Sequence, residues 1–413
     1  MAQTIFWIII AIILFDFVFE NILDYLNYNN LKETIPPELE GIYDEERYRK
    51  SQQYEKVKFR FSLITGFFSL TLILLMLFGN GFGLLDEWVR GITEKPYLRT
   101  LLFFGVLGLA FDLLTLPFQV YSIFVIEERF GFNKTTPKTF ITDKLKSWLL
   151  GAIIGGAIIL FVQWAWIATG EWFWLIVMSG ITGFMIFMTM FYTDLIVPLF
   201  NKLTPMEEGE LKKAIFDFAS KTGFNLKDVY VINGSKRSTK ANAYFSGLGP
   251  KKKVVLYDTL INDLNTQEIV AVLAHEIGHY KKKHITKGLL MSLVQTAIMV
   301  WLLSLALNIP ALSLALGPKE PSFYMGIIAF GLLFSPAEFF TGIITNLISR
   351  KYEYQADAFA KSHQLGGELI HALIKLSRNN LSNLTPHPAY VFFHYSHPAL
   401  LQRKKAIEEK NEK

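Results

Sequence analysis

Residues 147–199 read SWLLGAIIGGAIILFVQWAWIATGEWFWLIVMSGITGFMIFMTMFYTDLIVPL, two apolar runs parted only by Thr169, Gly170 and Glu171. A helix needs about 20 mostly apolar residues to cross the hydrocarbon core of a bilayer. Each run has that length, so 147–169 and 172–199 are expected to be membrane spans joined by a tight hairpin. Trp164, Trp166, Trp172 and Trp174 flank the turn, as residues that settle at headgroup level should.

The same reading places spans near 5–24, 61–84, 99–125, 286–309 and 322–347, about seven in all. The first block has no Lys or Arg before it and no small-residue cleavage site after it, so it is read as a retained span rather than a signal peptide. Of 413 residues, 51% are hydrophobic and the mean hydropathy is +0.30. That surplus sits in blocks, which overrides the two or three soluble domains that length alone would allow.

Net charge is +5, with a pI of about 9.0. In a soluble chain this would suggest nucleic acid. Here the cations lie between apolar blocks and report topology instead. Lys32, Arg47, Arg49, Lys50, Lys56 and Lys58 follow the first span; Arg129, Lys134, Lys138, Lys144 and Lys146 follow the third. Lys202, Lys212, Lys213, Lys236, Arg237, Lys251, Lys252 and Lys253 follow the fifth, and Arg350 and Lys351 the seventh. The alternate segments hold little beyond Arg90, Lys95 and Lys319. This alternation puts the N-terminus outside and the C-terminus in the cytoplasm.

The chain has no cysteine, so disulfides, thiolate nucleophiles and Cys-ligated metals are excluded. Four regions are expected. Residues 1–199 hold spans one to five with cytoplasmic segments, and 200–285 form a cytoplasmic catalytic segment. Residues 286–347 hold spans six and seven, and 348–413 form cytoplasmic C-terminal helices. Within the second region a helix over 208–220 precedes a strand starting at Asp228. Asn242-Ala-Tyr-Phe and Val254-Val-Leu-Tyr are two further short strands. An amphipathic helix then runs from Thr266 through His275-Glu-Ile-Gly-His279.

Residues four apart share one face of a helix, so both imidazoles can reach one ion. Glu276 sits beside the first, placed to take a proton from zinc-bound water. Gly278 inside a helix costs about 1 kcal/mol relative to Ala, which suggests close packing or a functional constraint. A catalytic zinc needs a third protein ligand and an open position. Candidates follow the last span in Arg350-Lys-Tyr-Glu-Tyr-Gln-Ala-Asp357: if the span continues as a helix, Glu353 and Asp357 share a face. One would bind zinc and the other would accept the free N–H of a ligating histidine. Spacing leaves open which does which.

These motifs resemble the type I CaaX prenyl proteases, integral-membrane zincins. The resemblance is carried by the His275–His279 helix, Glu353-Tyr-Gln-Ala-Asp357, Lys240-Ala-Asn-Ala-Tyr-Phe, and Tyr395-Ser-His-Pro398 followed by Arg403; Pro36-Pro-Glu-Leu adds to it. It implies Glu353 as third ligand with Asp357 behind the site, Asn242 and His397 near the scissile bond, and spans that enclose a large water-filled chamber. The expected fold is therefore a mainly α membrane protein of about seven transmembrane helices around a chamber, with a small α+β zincin-like catalytic domain. One Zn2+ per chain is expected. The expected substrate is a peptide or protein, with C-terminal prenylation as the resemblance suggests; lipid is the other partner, and nucleic acid is not one.

Asn242 lies in a candidate edge strand, where an extended peptide can pair; the alternative is a turn residue. His397 is a candidate donor to a developing oxyanion, or else a cap for the helix before Pro398. Arg403 is a candidate binder of a substrate carboxylate, or an ion-pair partner for a nearby acid. His284, His363, His371, His387 and His394 are read as surface or packing residues. Asp16, Asp112, Gln163, Asp194, Gln295 and Glu338 fall within spans. A charge at the bilayer centre costs at least about 2.5–3.5 kcal/mol, so these residues are expected to face protein or water.

The short loop at 310–321 and a tail without a retrieval signal point to a bacterial inner-membrane member. Two rival readings differ in function. One is a quality-control protease of the same mechanism; the other is a transporter or lipid-binding protein with a vestigial zinc site.

Overall fold

The computed structural model of the chain describes residues 1–37, 40–41, 44–246 and 253–409. Glu38 and Leu39 of the Pro36 motif, Lys251 and Lys252, and the tail beyond 409 lie outside these. Long helices dominate: α1 (Ala2–Asn29), α2 (Glu45–Phe78), α3 (Gly81–Ile92), α4 (Pro96–Tyr121), α5 (Pro137–Leu150), α6 (Gly156–Thr169) and α7 (Phe173–Leu195). A short α8 (Val197–Phe200) leads to the catalytic segment, which holds α9 (Glu210–Lys221), α10 (Asp258–Asp263) and α11 (Thr266–Lys281). Then come α12 (His284–Leu307), α13 (Pro310–Leu314), α14 (Phe323–Ser362), α15 (Gly366–Asn379), α16 (Pro388–His394) and α17 (Leu400–Glu408).

Six helical stretches are long and apolar enough to cross a membrane. One of them, Pro137–Phe200, is 64 residues long and cannot be a single pass. It reverses at Gly170, whose φ of +52° lies where a side chain is disfavoured, and α6 packs against α7. Counting this hairpin as two passes gives the seven crossings expected. Only 6–11% of the apolar window in each stretch is buried. In a solid bundle every helix would bury one face against its neighbours. These helices instead bury little of their apolar surface against one another.

Five of the six polar residues named within the spans, all but Glu338, make a side-chain hydrogen bond or ion pair among the described residues. Asp112 accepts from Lys144 Nζ at 2.7 Å and Trp148 Nε1 at 2.8 Å, Ser335 donates to Asp16 at 2.6 Å, and Gln295 donates to Thr345 at 3.0 Å. Gln163 donates to the Pro96 carbonyl at 3.2 Å, and Asp194 pairs with Lys253.

One boundary differs from the sequence reading. The second span ends at Phe78, not 84, because Asn80 takes a left-handed conformation and starts the amphipathic α3. Its apolar face continues the hydropathy run, so composition alone merged the two. The helix of the seventh span runs on past 347, as a shared face for Glu353 and Asp357 requires: α14 is one helix of 40 residues, Phe323–Ser362.

The catalytic segment folds around a sheet of four strands in the order β1-β2-β4-β3. These are β1 (Leu203–Pro205), β2 (Asp228–Ile232), β3 (Ala243–Ser246) and β4 (Lys253–Tyr257). The inner pair β2/β4 is parallel, and the outer pairs are antiparallel, with Ala243 opposite Leu256. β3 is therefore an edge. β1 was not expected, since Leu-Thr-Pro is too short to show a period.

The helix α11 begins at a capping box: Asn265 Oδ1 accepts from the Glu268 amide at 2.9 Å and Glu268 Oε2 accepts from the Asn265 amide at 2.8 Å. This satisfies two of the donors that a helix start leaves open. Its apolar side, with Ile269, Leu273 and Ile277, is buried with Val254, Leu256 and Leu369 in the core under the sheet. At about 1.5–3 kcal/mol per fully buried aliphatic side chain, this burial fixes the rotation of α11 and aims its two histidines toward α14.

Candidate active site

Packing brings α11 and α14 unusually close, and Gly278 is the reason. A Cβ there would sit 3.0 Å from Ala356 Cα and 3.0 Å from Phe359 Cβ. The glycine that costs helix stability thus lets two backbones meet, and the carboxylate on α14 reaches the imidazoles on α11.

Three donor groups converge, two imidazoles and one carboxylate. His275 Nε2 lies 3.1 Å from His279 Nε2 and 3.4 Å from Glu353 Oε2, and His279 Nε2 lies 3.2 Å from Glu353 Oε1. Ligands about 2.0–2.1 Å from a tetrahedral zinc stand about 3.3 Å from one another, so the triangle has the right size. Glu353 is 4% exposed, and its Oε2 is buried without a hydrogen-bond partner among the described residues. A buried carboxylate oxygen left this way is costly, and a cation beside it would remove the cost. The donors fit a divalent metal.

His275 is held from behind. Its Nδ1 lies 2.8 Å from Asp357 Oδ1, and Arg403 grips Asp357 with Nε at 2.9 Å and Nη2 at 2.6 Å. Glu353 thus stands beside His275 Nε2 and His279 Nε2, and Asp357 stands behind His275. Burial opposes a charge on His275, but the hydrogen bonds to Asp357 and Glu353 outweigh it and push its pKa up to about 9. Burial pushes the Glu276 carboxyl above its ordinary value, while His275 and His279 pull the other way. A carboxylate tuned upward is better suited to general base work near neutral pH.

Arg403 is 8% exposed. With two bonds to Asp357 and Nη1 3.4 Å from Glu353 Oε2, it has no free face for a substrate carboxylate. Of the two expected roles, the ion pair is the one the geometry supports. His397 is different: its side chain is 64% exposed, and its Nε2 lies 3.4 Å from Glu353 Oε1. It stands on the open rim of the donor triangle. Asn242 is exposed, one residue before the edge strand β3, and its carbonyl accepts from the Tyr257 amide at 3.1 Å.

Two residues escaped the sequence reading. Arg350, one helical turn before Glu353, donates to the carbonyls of Val391 at 3.0 Å and Tyr395. It ties the end of α16, and so the His397 loop, to the ligand-bearing helix. Its place in the motif was visible, but its carbonyl partners lie some 40 positions away. His284 is buried as a packing residue, as expected, yet it also touches a metal-site histidine.

A two-histidine, one-carboxylate triangle with an adjacent glutamate, mounted where membrane helices meet a small sheet domain, defines a membrane-embedded metallopeptidase. Comparison with known proteins agrees over the whole length. Residues 24–202 match the family model described as CAAX prenyl protease N-terminal, five membrane helices, and residues 205–411 match peptidase family M48. CAAX prenyl protease 1 of Saccharomyces cerevisiae is 37% identical, over 96% of this chain and 94% of that protein. The Arabidopsis thaliana homologue is 36% identical over 96% of each, and the Homo sapiens homologue 31% identical over 91% of this chain and 88% of that protein. The crystal structure of S. mikatae Ste24p superposes with a TM-score of 0.92 at 37% identity, covering 98% of this chain and 99% of that one. The chain belongs to the CAAX prenyl protease family of M48 peptidases.

Proposed function

We propose that this protein is a zinc metalloendopeptidase that removes the C-terminal aaX tripeptide from prenylated CaaX proteins. The observation that carries the proposal is the donor triangle of His275, His279 and Glu353, with Glu276 on the same helix. Zinc, when bound there, supplies an acidified water and a Lewis acid.

The chain's own residues do the rest. Glu276 takes the proton from the attacking water and later delivers it to the leaving amine. His397, exposed at the rim, donates to the oxygen that becomes negative in the tetrahedral transition state. The β3 edge with Asn242 receives the extended peptide as an added strand, through main-chain hydrogen bonds. Asp357 fixes the His275 tautomer, and Arg403 keeps Asp357 ionised and in place. Functionally the chain divides near residue 200 and again near 286 and 348, with the spans forming the enclosure and the two cytoplasmic regions supplying the chemistry.

The alternation of Lys and Arg supports an N-terminus outside and a catalytic face in the cytoplasm. The bacterial inner membrane is supported by the short loop at 310–321 alone; the relatives named above are eukaryotic. The prenyl requirement rests on what those relatives are named for.

The test is cleavage of matched farnesylated and unmodified CaaX peptides by wild-type protein and by Glu276→Gln. We expect stoichiometric zinc in both proteins, hydrolysis by the wild type alone, and preference for the farnesylated peptide. Full activity of Glu276→Gln would refute the base. Equal cleavage of both peptides would favour the quality-control reading.

A further inference from the structure

The brace on His275 is built from charges, and His279 must be braced by something else. His284, the first residue of α12, is 4% exposed. Its Nδ1 lies 3.0 Å from His279 Nδ1, and its Nε2 lies 2.8 Å from Gln355 Oε1. Its ring stacks on Tyr352, with centroids 4.0 Å apart and planes 7° from parallel. Tyr352 and Gln355 flank Glu353 on α14.

Proton counting gives this chain one direction. His279 turns Nε2 to the donor triangle, so that nitrogen offers a lone pair and the ring proton sits on Nδ1. His279 Nδ1–H then donates to His284 Nδ1, which must be an acceptor. The proton of His284 therefore sits on Nε2 and is donated to the Gln355 carbonyl oxygen. Each group has one role, and stacking on Tyr352 stops the middle ring from turning.

We infer that His284 is a positioning residue that sets the tautomer and ring orientation of His279 and thereby holds metal affinity, with Gln355 and Tyr352 fixing His284 in turn. This rests on the metallopeptidase reading through His279. It extends that reading by making the first turn of a membrane span, α12, part of the metal site. Partners that orient a ligating histidine are typically worth about 10–100-fold in metal affinity.

The experiment uses the full-length purified protein. Zinc affinity is measured by chelator competition, and the visible spectrum is recorded after cobalt substitution. His284→Leu removes the acceptor; His284→Asn restores one, since its Oδ1 falls near the position of the imidazole Nδ1. We expect His284→Leu to bind zinc about 10–100-fold more weakly with an altered cobalt spectrum. His284→Asn should recover most of both, and Gln355→Leu should fall between. Wild-type affinity and spectrum in His284→Leu would overturn the inference, as would equal losses in His284→Leu and His284→Asn. His279→Ala separates the two levels: if that variant keeps stoichiometric zinc, the metallopeptidase reading itself falls. If it loses zinc while His284→Leu does not, only the inference falls.

Discussion

The active site has a closed half and an open half. His275, Glu353, Asp357 and Arg403 are all under 9% exposed; His275, Asp357 and Arg403 are joined by charge-assisted hydrogen bonds, and Glu353 lies 3.4 Å from both His275 and Arg403. His397 and Asn242 stand exposed, on a loop and at a sheet edge. The halves do different work. Holding a cation needs donors that stay put in a low-dielectric setting, where an ion pair is strong and a missing partner is expensive. Gripping a peptide needs unfilled hydrogen-bonding groups that water can leave. The same contrast separates the packed core beneath α11 from the membrane helices, which bury little of their surface against one another.

Changes in the two halves should therefore fail in different ways. Asp357→Ala leaves the buried Arg403 guanidinium only the longer Glu353 contact at 3.4 Å, and removing one partner of a buried pair costs about 3–5 kcal/mol. We expect a large drop in thermal unfolding temperature together with loss of zinc. Adding Arg403→Met should restore much of the stability but not the metal; if the single variant unfolds like the wild type, the closed half is not the rigid element described here. His397→Ala should do the opposite, lowering kcat by about 10²–10³-fold, the cost of one oxyanion donor, with zinc content and unfolding temperature unchanged. Zinc loss in that variant would erase the distinction between the halves.

Gly278→Ala tests how the closed half is assembled. The added methyl meets α14 backbone and should cost about 1–3 kcal/mol of stability, as overpacking does, while weakening zinc binding by shifting Glu353. A variant more stable than wild type, as helix propensity alone would predict, would show that the close approach is dispensable. A last test is on pH, where each single unit has a modest effect. Metal takes the neutral imidazole, and His275 in the metal-free protein has a pKa pushed up to about 9. Below that value a proton must leave as metal binds, so zinc affinity should fall about tenfold per pH unit as pH drops from 9 toward 7. Chelator competition across that range checks the slope; a flat profile would remove His275 as the titrating ligand.

Much of this arrangement could be read from local pattern. Apolar run length gave the spans, because a helix in lipid must satisfy its own backbone regardless of its neighbours. The i, i+4 spacing of His275 and His279 placed two imidazoles on one face, because helical geometry does so in any context. Where neighbours decided, local pattern stopped short. The boundary at Asn80 was hidden by continuous hydropathy, and β1 was too short to carry a period. His284 looked like one more surface or packing histidine, and Arg350 like one more cytoplasmic cation.

The amino-acid order alone determined that this chain crosses a membrane about seven times and carries a histidine pair with a glutamate between. Both follow from periodicity within one segment. Only the tertiary structure decided that Glu353 turns to His275 and His279 while Asp357 stands behind His275, that Arg403 pairs with Asp357, and that Gly278 lets α11 and α14 touch. Those outcomes depend on the distance and rotation between segments about 74–82 residues apart in the chain for the first and last, and 46 for the second. Such distances are set by packing, which no single segment encodes.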